Sequence, residues 1–303
     1  MPSSSSDREW LGVHLSFDGW IYGGTCDRVL VELVAPLVVA VRGRCLAERY
    51  FFVRYGEGGP HIRLRFLGRR DVLVGEVLPL VVRTCRAFAL PGGVTPRMAP
   101  YAPEYERYGG PDGVALAERC FEASSDAAIV LLGGMRPGDQ RARFAQSLFT
   151  TLAMAHAFCR DRMEAAAFVR EYGTRYLGVI ARRDDAHATL RAAFAEGYER
   201  QASRVHPYVE ECWGRLCRAE SLSAALDPWV AHLRELRVAF EGLARAGRLA
   251  LPDGSPGRHS AMRRIVPSYL HMMNNRVGVG IPHEAYLATV IASALTEPVS
   301  MVS

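Results

Sequence analysis

The sequence has 303 residues, of which 49% are hydrophobic and 23% are charged, and its formal net charge is +5. This length and composition indicate a globular chain with a large buried core, and they exclude a fibrous or disordered protein. No apolar run approaches the ~18 residues of a membrane span, and the N-terminus MPSSSSDREW lacks a signal-peptide pattern. The seven cysteines are scattered without a CxxC pair, so we expect reduced thiols in a cytoplasm and neither a disulfide framework nor a zinc site. The modest positive charge suits an anionic ligand, but no lysine-rich block or RNA-reading motif supports direct nucleic-acid binding.

The N-terminal third of the chain predicts a sheet covered by helices. Residues 10–17 alternate like a strand, and residues 26–42 have apolar side chains at helical spacing around Pro36, which we expect to kink that helix. A hairpin over 48–68 and a second helix over 72–88 follow. This strand–helix–strand–strand–helix order predicts an α+β fold with a mostly antiparallel sheet.

The hairpin contains an alternating segment whose two faces differ in chemistry. Ile62, Leu64 and Phe66 form an apolar face, because successive side chains of a strand point to opposite sides. His61, Arg63 and Arg65 then share the other face. In the ordinary interpretation this is the solvent-facing side of an antiparallel sheet. The alternative is an anion site, because two neighbouring guanidiniums repel each other and attract a carboxylate or an enolate.

Residues 91–113 are rich in Gly, Pro and Tyr and predict an irregular connection. The connection contains Glu104, Glu106 and Arg107 between tyrosines. Either it is a solvated connector, or its charged and aromatic side chains belong to a site, since loops often contain functional residues.

The rest of the chain predicts helices over 113–132, 137–160, 161–179, 186–216 and 221–246. Pro267 predicts the start of another helix, which contains His271, Asn275 and Arg276 and ends at Gly278 and Gly280 before a last helix from Pro282. His271 and Asn275 are four residues apart and share a helix face. A histidine in this setting is either a buried, hydrogen-bonded residue or a functional one. We expect a single domain over 1–303, with a sheet-containing half over 1–113 and a largely helical half over 114–303.

Four segments together resemble the C-terminal elimination domain of class I lanthipeptide dehydratases, also called the thiopeptide-type bacteriocin biosynthesis domain. The segments are residues 10–17, FFVRYGEGGPHIRLRF (51–66), YAPEYERYGG (101–110) and SYLHMMNNRVG (268–278). The resemblance spans about residues 10–295. The form that the chain resembles is the split, stand-alone one, which lacks the tRNA-dependent glutamylation domain. The family's usual HMHCNR reads HMMNNR here, which keeps His271, Asn275 and Arg276.

The resemblance implies β-elimination of glutamate from a glutamylated serine or threonine of a precursor peptide, which leaves dehydroalanine or dehydrobutyrine. It implies catalytic roles for Arg63, Arg65, Arg107 and His271, and substrate-binding roles for Glu104, Asn275 and Arg276. Arg63 and Arg65 would hold the glutamyl group or the enolate, and His271 would handle the proton. Glu104 and Arg107 would orient the substrate or these arginines. A glycine-rich phosphate loop, a dinucleotide fingerprint and a metal-ligand pattern are all absent from the sequence, so we expect no cofactor and no metal.

Two other functions stay open at this point. Thiopeptide pyridine synthases reuse the same fold to join two dehydroalanines by a formal aza-cycloaddition, but they do not need glutamate-binding arginines. A non-catalytic protein that only delivers the precursor peptide would have no reason to place Arg63, Arg65, Arg107 and His271 in one cleft. The expected partners are the precursor peptide and a separate tRNA-dependent glutamylating protein, and a homodimer is left open.

Overall fold

The computed structural model describes residues 7–181, 184–221, 223–251, 254 and 257–297. Its sheet has four antiparallel strands in the order β2-β3-β1-β4, namely β1 (Arg8–Phe17), β2 (Arg49–Tyr55), β3 (His61–Arg69) and β4 (Val94–Met98). The α+β prediction and the hairpin are confirmed. Strand β4 was not predicted, because it lies in the Gly- and Pro-rich connection and contains Pro96. A sheet tolerates proline at its edge, where β4 lies.

One face of the sheet packs on the helices of the N-terminal half. These are α1 (Gly24–Arg28) and α2 (Ala35–Gly43), joined by a π-helical segment Val29–Val34, and α3 (Arg70–Val72) and α4 (Leu78–Ala87), joined by a π-helical segment Leu73–Val77. Pro36 lies just after the π-helical segment, so the continuous helix over 24–43 changes its hydrogen-bond pattern next to the residue that has no N–H to donate. Ile62, Leu64 and Phe66 are fully buried in this core, as their alternation predicts.

The second half of the described chain is helical, in agreement with the sequence. Its elements are α5 (Tyr105–Tyr108), α6 (Gly110–Gly133), α7 (Gln140–Phe158), α8 (Arg162–Ile180), α9 (Asp184–Glu199), α10 (Ala202–Cys217), α11 (Asp227–Arg245), α12 (Arg258–Val277) and α13 (Ile281–Thr296). The predicted segment 186–216 is two helices rather than one, and they separate before Pro207, which lies inside α10. The expected division after Gly113 falls in the first turn of α6. Within the described residues, none of the helices is long and apolar enough to cross a bilayer.

Helix α12 begins at Arg258, so the prediction that Pro267 opens a helix is wrong. Pro267 lies in the middle of α12, where a proline leaves the carbonyl four residues earlier without its helical donor. That carbonyl belongs to Arg263, and it accepts a hydrogen bond from Arg175 of α8 at 3.3 Å. A neighbouring helix thus replaces the missing donor, and the helix continues through the proline.

A buried ion triad fixes the C-terminal end of α12 against the sheet. Asp27 accepts from Arg54 of β2 at 2.8 Å and from Arg143 of α7 at 2.6 Å. Arg143 also donates to the carbonyl of Val277 at 2.7 Å. Gly278 ends α12 with a φ of 93°, and an added Cβ would lie 1.7 Å from a guanidinium nitrogen of Arg143. The glycine is therefore required both for the turn and for the approach of Arg143.

Candidate active site

Five of the residues predicted from the sequence line one cavity of about 220 Å³: Arg63, Arg65, Glu104, Arg107 and His271. They come from β3, from the connection after β4 and from α12. Asn275 also lines the cavity, while Arg276 does not. The predicted residues are therefore close together in space, although more than 200 positions separate Arg63 from His271 in the sequence.

The wall of the cavity that is formed by the sheet contains two guanidiniums, which differ in their hydrogen bonding. Arg65 lies over the rings of Phe51 and Tyr101, at 5.1 and 4.6 Å from their centroids, and has no hydrogen-bond acceptor among the described residues. Burial lowers the pKa of Arg65 below its ordinary value. Arg63 lies 3.2 Å above the ring of Tyr55, and its Nε donates to Nε2 of His61 at 3.3 Å. Both cations thus rest on aromatic faces, with donors left for an anion.

The interpretation of this sheet face as simply solvent-facing is wrong around Arg65. The chain after β4 crosses the sheet at Gly12, where an added Cβ would lie 2.3 Å from the carbonyl oxygen of Ala99. Two residues later, Tyr101 packs against Trp10 and Phe51, with ring centroids 5.4 and 5.7 Å away. The missing side chain of Gly12 therefore lets this segment close over the sheet and form one wall of the cavity.

Arg107 lies on the opposite wall and has a fixed orientation. Its Nη1 donates to Glu104 at 2.9 Å and its Nε donates to the hydroxyl of Ser268 at 3.0 Å. Arg107 is therefore held between α5 and α12, and Glu104 neutralises part of its charge. The expectation that Glu104 orients an arginine agrees with this contact.

His271 is oriented by a buried carboxylate that the sequence reasoning missed. Its Nδ1 lies 3.0 and 3.1 Å from the two carboxylate oxygens of Glu284, which is fully buried on α13. The hydroxyl of Tyr172 donates to the same carboxylate, and Tyr176 stacks on the His271 ring with centroids 5.1 Å apart. Burial, and next the charge of Glu284, hold the pKa of Tyr172 well above its ordinary value, so this tyrosine stays a donor.

This contact fixes the tautomer of His271. The carboxylate accepts a hydrogen bond from Nδ1–H, so the lone pair of the neutral ring is on Nε2. Asn275, which shares a helix face with His271, does not orient its ring but binds the backbone of Arg54. His271 also lies well inside α12 rather than in a first turn opened by Pro267. Glu284 escaped notice because an acidic residue in the first turn of a helix usually just complements the helix dipole.

Asn275 and Arg276 connect α12 to the edge of the sheet. The Asn275 side chain accepts from the backbone N–H of Arg54 at 2.9 Å and donates to its carbonyl at 3.0 Å. Ser125 of α6 accepts from the N–H of Phe52 at 3.2 Å and from Arg276 Nε at 3.0 Å. Arg276 is fully buried, and burial lowers its pKa to about 10. In place of the substrate contact expected of it, Arg276 supports the cavity wall from behind.

The cavity thus combines a histidine that can accept a proton with cations that can hold an anion. In the described part of the chain, no three His, Cys, Asp or Glu side chains are grouped as metal ligands. Of the nearby carboxylates, Glu104 is bound by Arg107. Glu284 is bound by His271 and Tyr172. Such a site suits removal of a proton next to a carbonyl group, followed by departure of a carboxylate.

Comparison with protein families gives a match over nearly the whole chain. The family model described as lantibiotic biosynthesis dehydratase, C-terminal, matches residues 10–295. The subtilin biosynthesis protein SpaB of Bacillus subtilis is 30% identical over 135 residues, which cover 43% of this chain and 13% of SpaB. The chain therefore corresponds to a small part of that relative.

Three solved structures share the fold. The tRNA-dependent lantibiotic dehydratase MibB from Microbispora sp. 107891 aligns with a TM-score of 0.66 and 24% identity, over 97% of this chain and 28% of the MibB chain. TsrL aligns with a TM-score of 0.72 and 18% identity, over 95% of this chain and 94% of TsrL. TbtD, a pyridine synthase from thiomuracin biosynthesis, aligns with a TM-score of 0.70 and 18% identity, over 94% of this chain and 97% of TbtD.

Proposed function

The chain belongs to the lantibiotic biosynthesis dehydratase C-terminal family, and from this premise we propose that it eliminates glutamate from glutamylated serine or threonine in a precursor peptide. The observation that supports this most directly is the shared cavity of His271, Arg63, Arg65 and Arg107. The family and the fold indicate a role in lanthipeptide or thiopeptide biosynthesis with a peptide as substrate. The reaction itself is our proposal.

The chemistry explains why these groups suffice. A serine hydroxyl would leave as hydroxide, which is a strong base and therefore a poor leaving group. A glutamyl ester leaves as the α-carboxylate of glutamate, which is a weak base and therefore already a good leaving group. What remains is removal of the weakly acidic Cα proton. Nε2 of His271 takes this proton, the C–H electron pair becomes the Cα=Cβ double bond, and the Cβ–O bond breaks to release glutamate.

The arginines act on the negative charge at both stages. Arg65 has free donors in a largely buried position, where an ion contact is stronger than in water, and we assign it to the enolate-like oxygen or the departing carboxylate. Arg63 and Arg107 complete the anion site, and Glu104 orients Arg107. We assign Asn275 and Arg276 to holding the cavity wall in place.

Pyridine synthesis is the second candidate, because the chain and TbtD align over most of both lengths. At 18% identity this likeness concerns the fold alone. A cycloaddition of two dehydroalanines releases no glutamate, and it gives no reason for three arginines around one histidine. A non-catalytic peptide carrier gives no reason for a histidine paired with a buried glutamate.

The proposed partners follow from the substrate. A separate tRNA-dependent enzyme would glutamylate the precursor peptide in the cytoplasm, and this protein would then act on the ester without contacting nucleic acid. Analytical ultracentrifugation would distinguish a monomer from the homodimer that the sequence left open.

A glutamylated core peptide tests the proposal when it is incubated with the purified protein alone and analysed by mass spectrometry. We expect loss of one glutamic acid per ester and formation of dehydroalanine. His271→Gln, which keeps a polar side chain of similar reach, should leave the ester intact while melting like the wild type. A fully active His271→Gln protein would contradict the role of His271.

A further inference from the structure

A row of basic side chains crosses the sheet and extends away from the cavity. In the strand register, His14 of β1 lies opposite Arg63 of β3 and opposite Arg97 of β4. Directly opposed residues of antiparallel strands lie ~4.5–5.5 Å apart and share one face of the sheet. Arg97, His14 and Arg63 therefore form one line across three strands, which we call the basic row.

The basic row has no acidic partner of its own. Neither Arg63 nor Arg97 forms an ion pair with any carboxylate in the part of the chain that the structure describes, and Arg97 is exposed. Burial, and next the neighbouring His61 and Arg63, lower the pKa of His14 to about 4. His14 is thus neutral near pH 7, and the two arginines supply the charge of the row.

The inner end of the row is rigidly held. His61 Nδ1 donates to the carbonyl of Gly59 at 2.8 Å, so its Nε2 accepts from Arg63. His14 stacks on His61 with ring centroids 4.6 Å apart. Arg63 also lines the catalytic cavity, so the row begins where the cavity ends. A rigid, unpaired cation loses little entropy on binding an anion.

The size of the cavity requires a second contact surface for a peptide. A volume of about 220 Å³ is below the ~300–1,000 Å³ of ordinary ligand pockets, so only the reacting residue fits inside. Its neighbours in the peptide must lie on the protein surface. Arg63 and Arg97 are two strand spacings apart, or ~10 Å. An extended peptide covers this distance in about three residues.

We infer that the basic row binds an acidic side chain of the precursor peptide about three residues from the reacting serine or threonine. The inference rests on the proposed function, because it takes the cavity to hold the reacting residue. The exposed guanidinium of Arg97, at the outer end of the row, suits a single peptide carboxylate. A nucleic-acid backbone would require a longer basic track.

Peptide binding tests the inference without requiring catalysis. The probes are two fluorescein-labelled nine-residue peptides with a central serine. One has aspartates three positions to either side of the serine, and the other has asparagines there. By fluorescence anisotropy we expect the wild type to bind the aspartate peptide about three- to fivefold more tightly. Arg97→Gln should remove this preference, and Arg86→Gln, at an exposed arginine of α4, should retain it.

Equal affinity of the wild type for the two peptides would overturn the inference, and so would a preference that persists in Arg97→Gln. Displacement of the aspartate peptide by a short single-stranded RNA from the wild type, but not from Arg97→Gln, would overturn it in favour of nucleic acid. If the protein prefers the aspartate peptide but releases no glutamate from a glutamylated peptide, the proposed function is contradicted and the basic row remains a peptide-binding site.

Discussion

At the scale of single residues, the pairing of His271 with Glu284 is the contact that most directly gives the cavity its proposed chemistry. The carboxylate holds Nδ1–H and, in the proposed mechanism, would stabilise the positive imidazolium formed when Nε2 takes a proton. Glu284→Gln removes the charge while nearly preserving the volume. We expect kcat to fall about 10- to 100-fold with KM within about twofold of the wild type. Steady-state glutamate release measures both constants.

Tyr172→Phe is the matched control for Glu284→Gln. It removes one hydrogen bond from the Glu284 carboxylate but keeps the contact to His271. We expect a much smaller loss of kcat than in Glu284→Gln. Equal losses in the two variants, or a wild-type kcat in Glu284→Gln, would contradict a catalytic role for the charge of Glu284.

Arg65 allows a separate test of the anion site. Arg65→Ala should strongly reduce glutamate release and let glutamylated peptide accumulate, because no other guanidinium of the cavity rests on Phe51 and Tyr101. Its loss should also cost about 1 kcal/mol of stability through the aromatic contacts. Arg65→Lys should recover only part of the activity, since an ammonium cannot form a planar two-pronged contact. Full activity of Arg65→Ala would remove Arg65 from the mechanism.

At the scale of secondary-structure elements, the edge of β2 is the joint between the sheet and the helical half. An exposed edge strand leaves N–H and C=O groups unpaired, and here Asn275 and Ser125 pair with them. The sequence does not reveal this, because a backbone contact leaves no pattern in the residue types. Asn275 therefore looked like a candidate for substrate binding.

Asn275→Ala should destabilise the protein through this joint. The N–H and carbonyl of Arg54 would lose their partner in a buried position, which costs about 1–3 kcal/mol for each unsatisfied group. For the two groups we expect a total loss of about 2–6 kcal/mol in a denaturant titration. Arg65→Ala, which touches the same cavity, should lose far less. If Asn275→Ala has wild-type stability and lowers only peptide binding, its role is with the substrate instead.

At the scale of the whole molecule, the local periodicity of the sequence predicted the helices and strands well, but it predicted the contacts between them poorly. The alternation of β3 predicted which side chains are buried, and it also predicted that Arg63 and Arg65 share a face. Strand β4 and the true start of α12 were missed, because Pro96 and Pro267 were interpreted from local rules while neighbouring elements decide their conformation. Glu284 was missed for a related reason, since its partner lies on another helix.

The convergence of distant motifs in one cavity was predicted from the resemblance, and the packing explains how it arises. The triad of Asp27, Arg54 and Arg143 fixes the end of α12, and Gly12 allows the segment after β4 to cross the sheet. Asp27, Arg143 and Gly12 do not line the cavity. Arg54 does, but its guanidinium is engaged by Asp27, so it too acts by holding the elements in position. Conversely, the free donors of Arg65 have no structural purpose among the described contacts, which is why we assign them to the substrate.

One comparison of two substrates tests the central proposal most directly. The purified protein is given, in parallel, a glutamylated core peptide and the same peptide with dehydroalanines already in place, and free glutamate and peptide masses are followed together. We predict stoichiometric glutamate release and dehydroalanine formation from the first peptide, and no change in the second. An unchanged glutamylated peptide together with pyridine formation from the second would contradict elimination and favour cycloaddition.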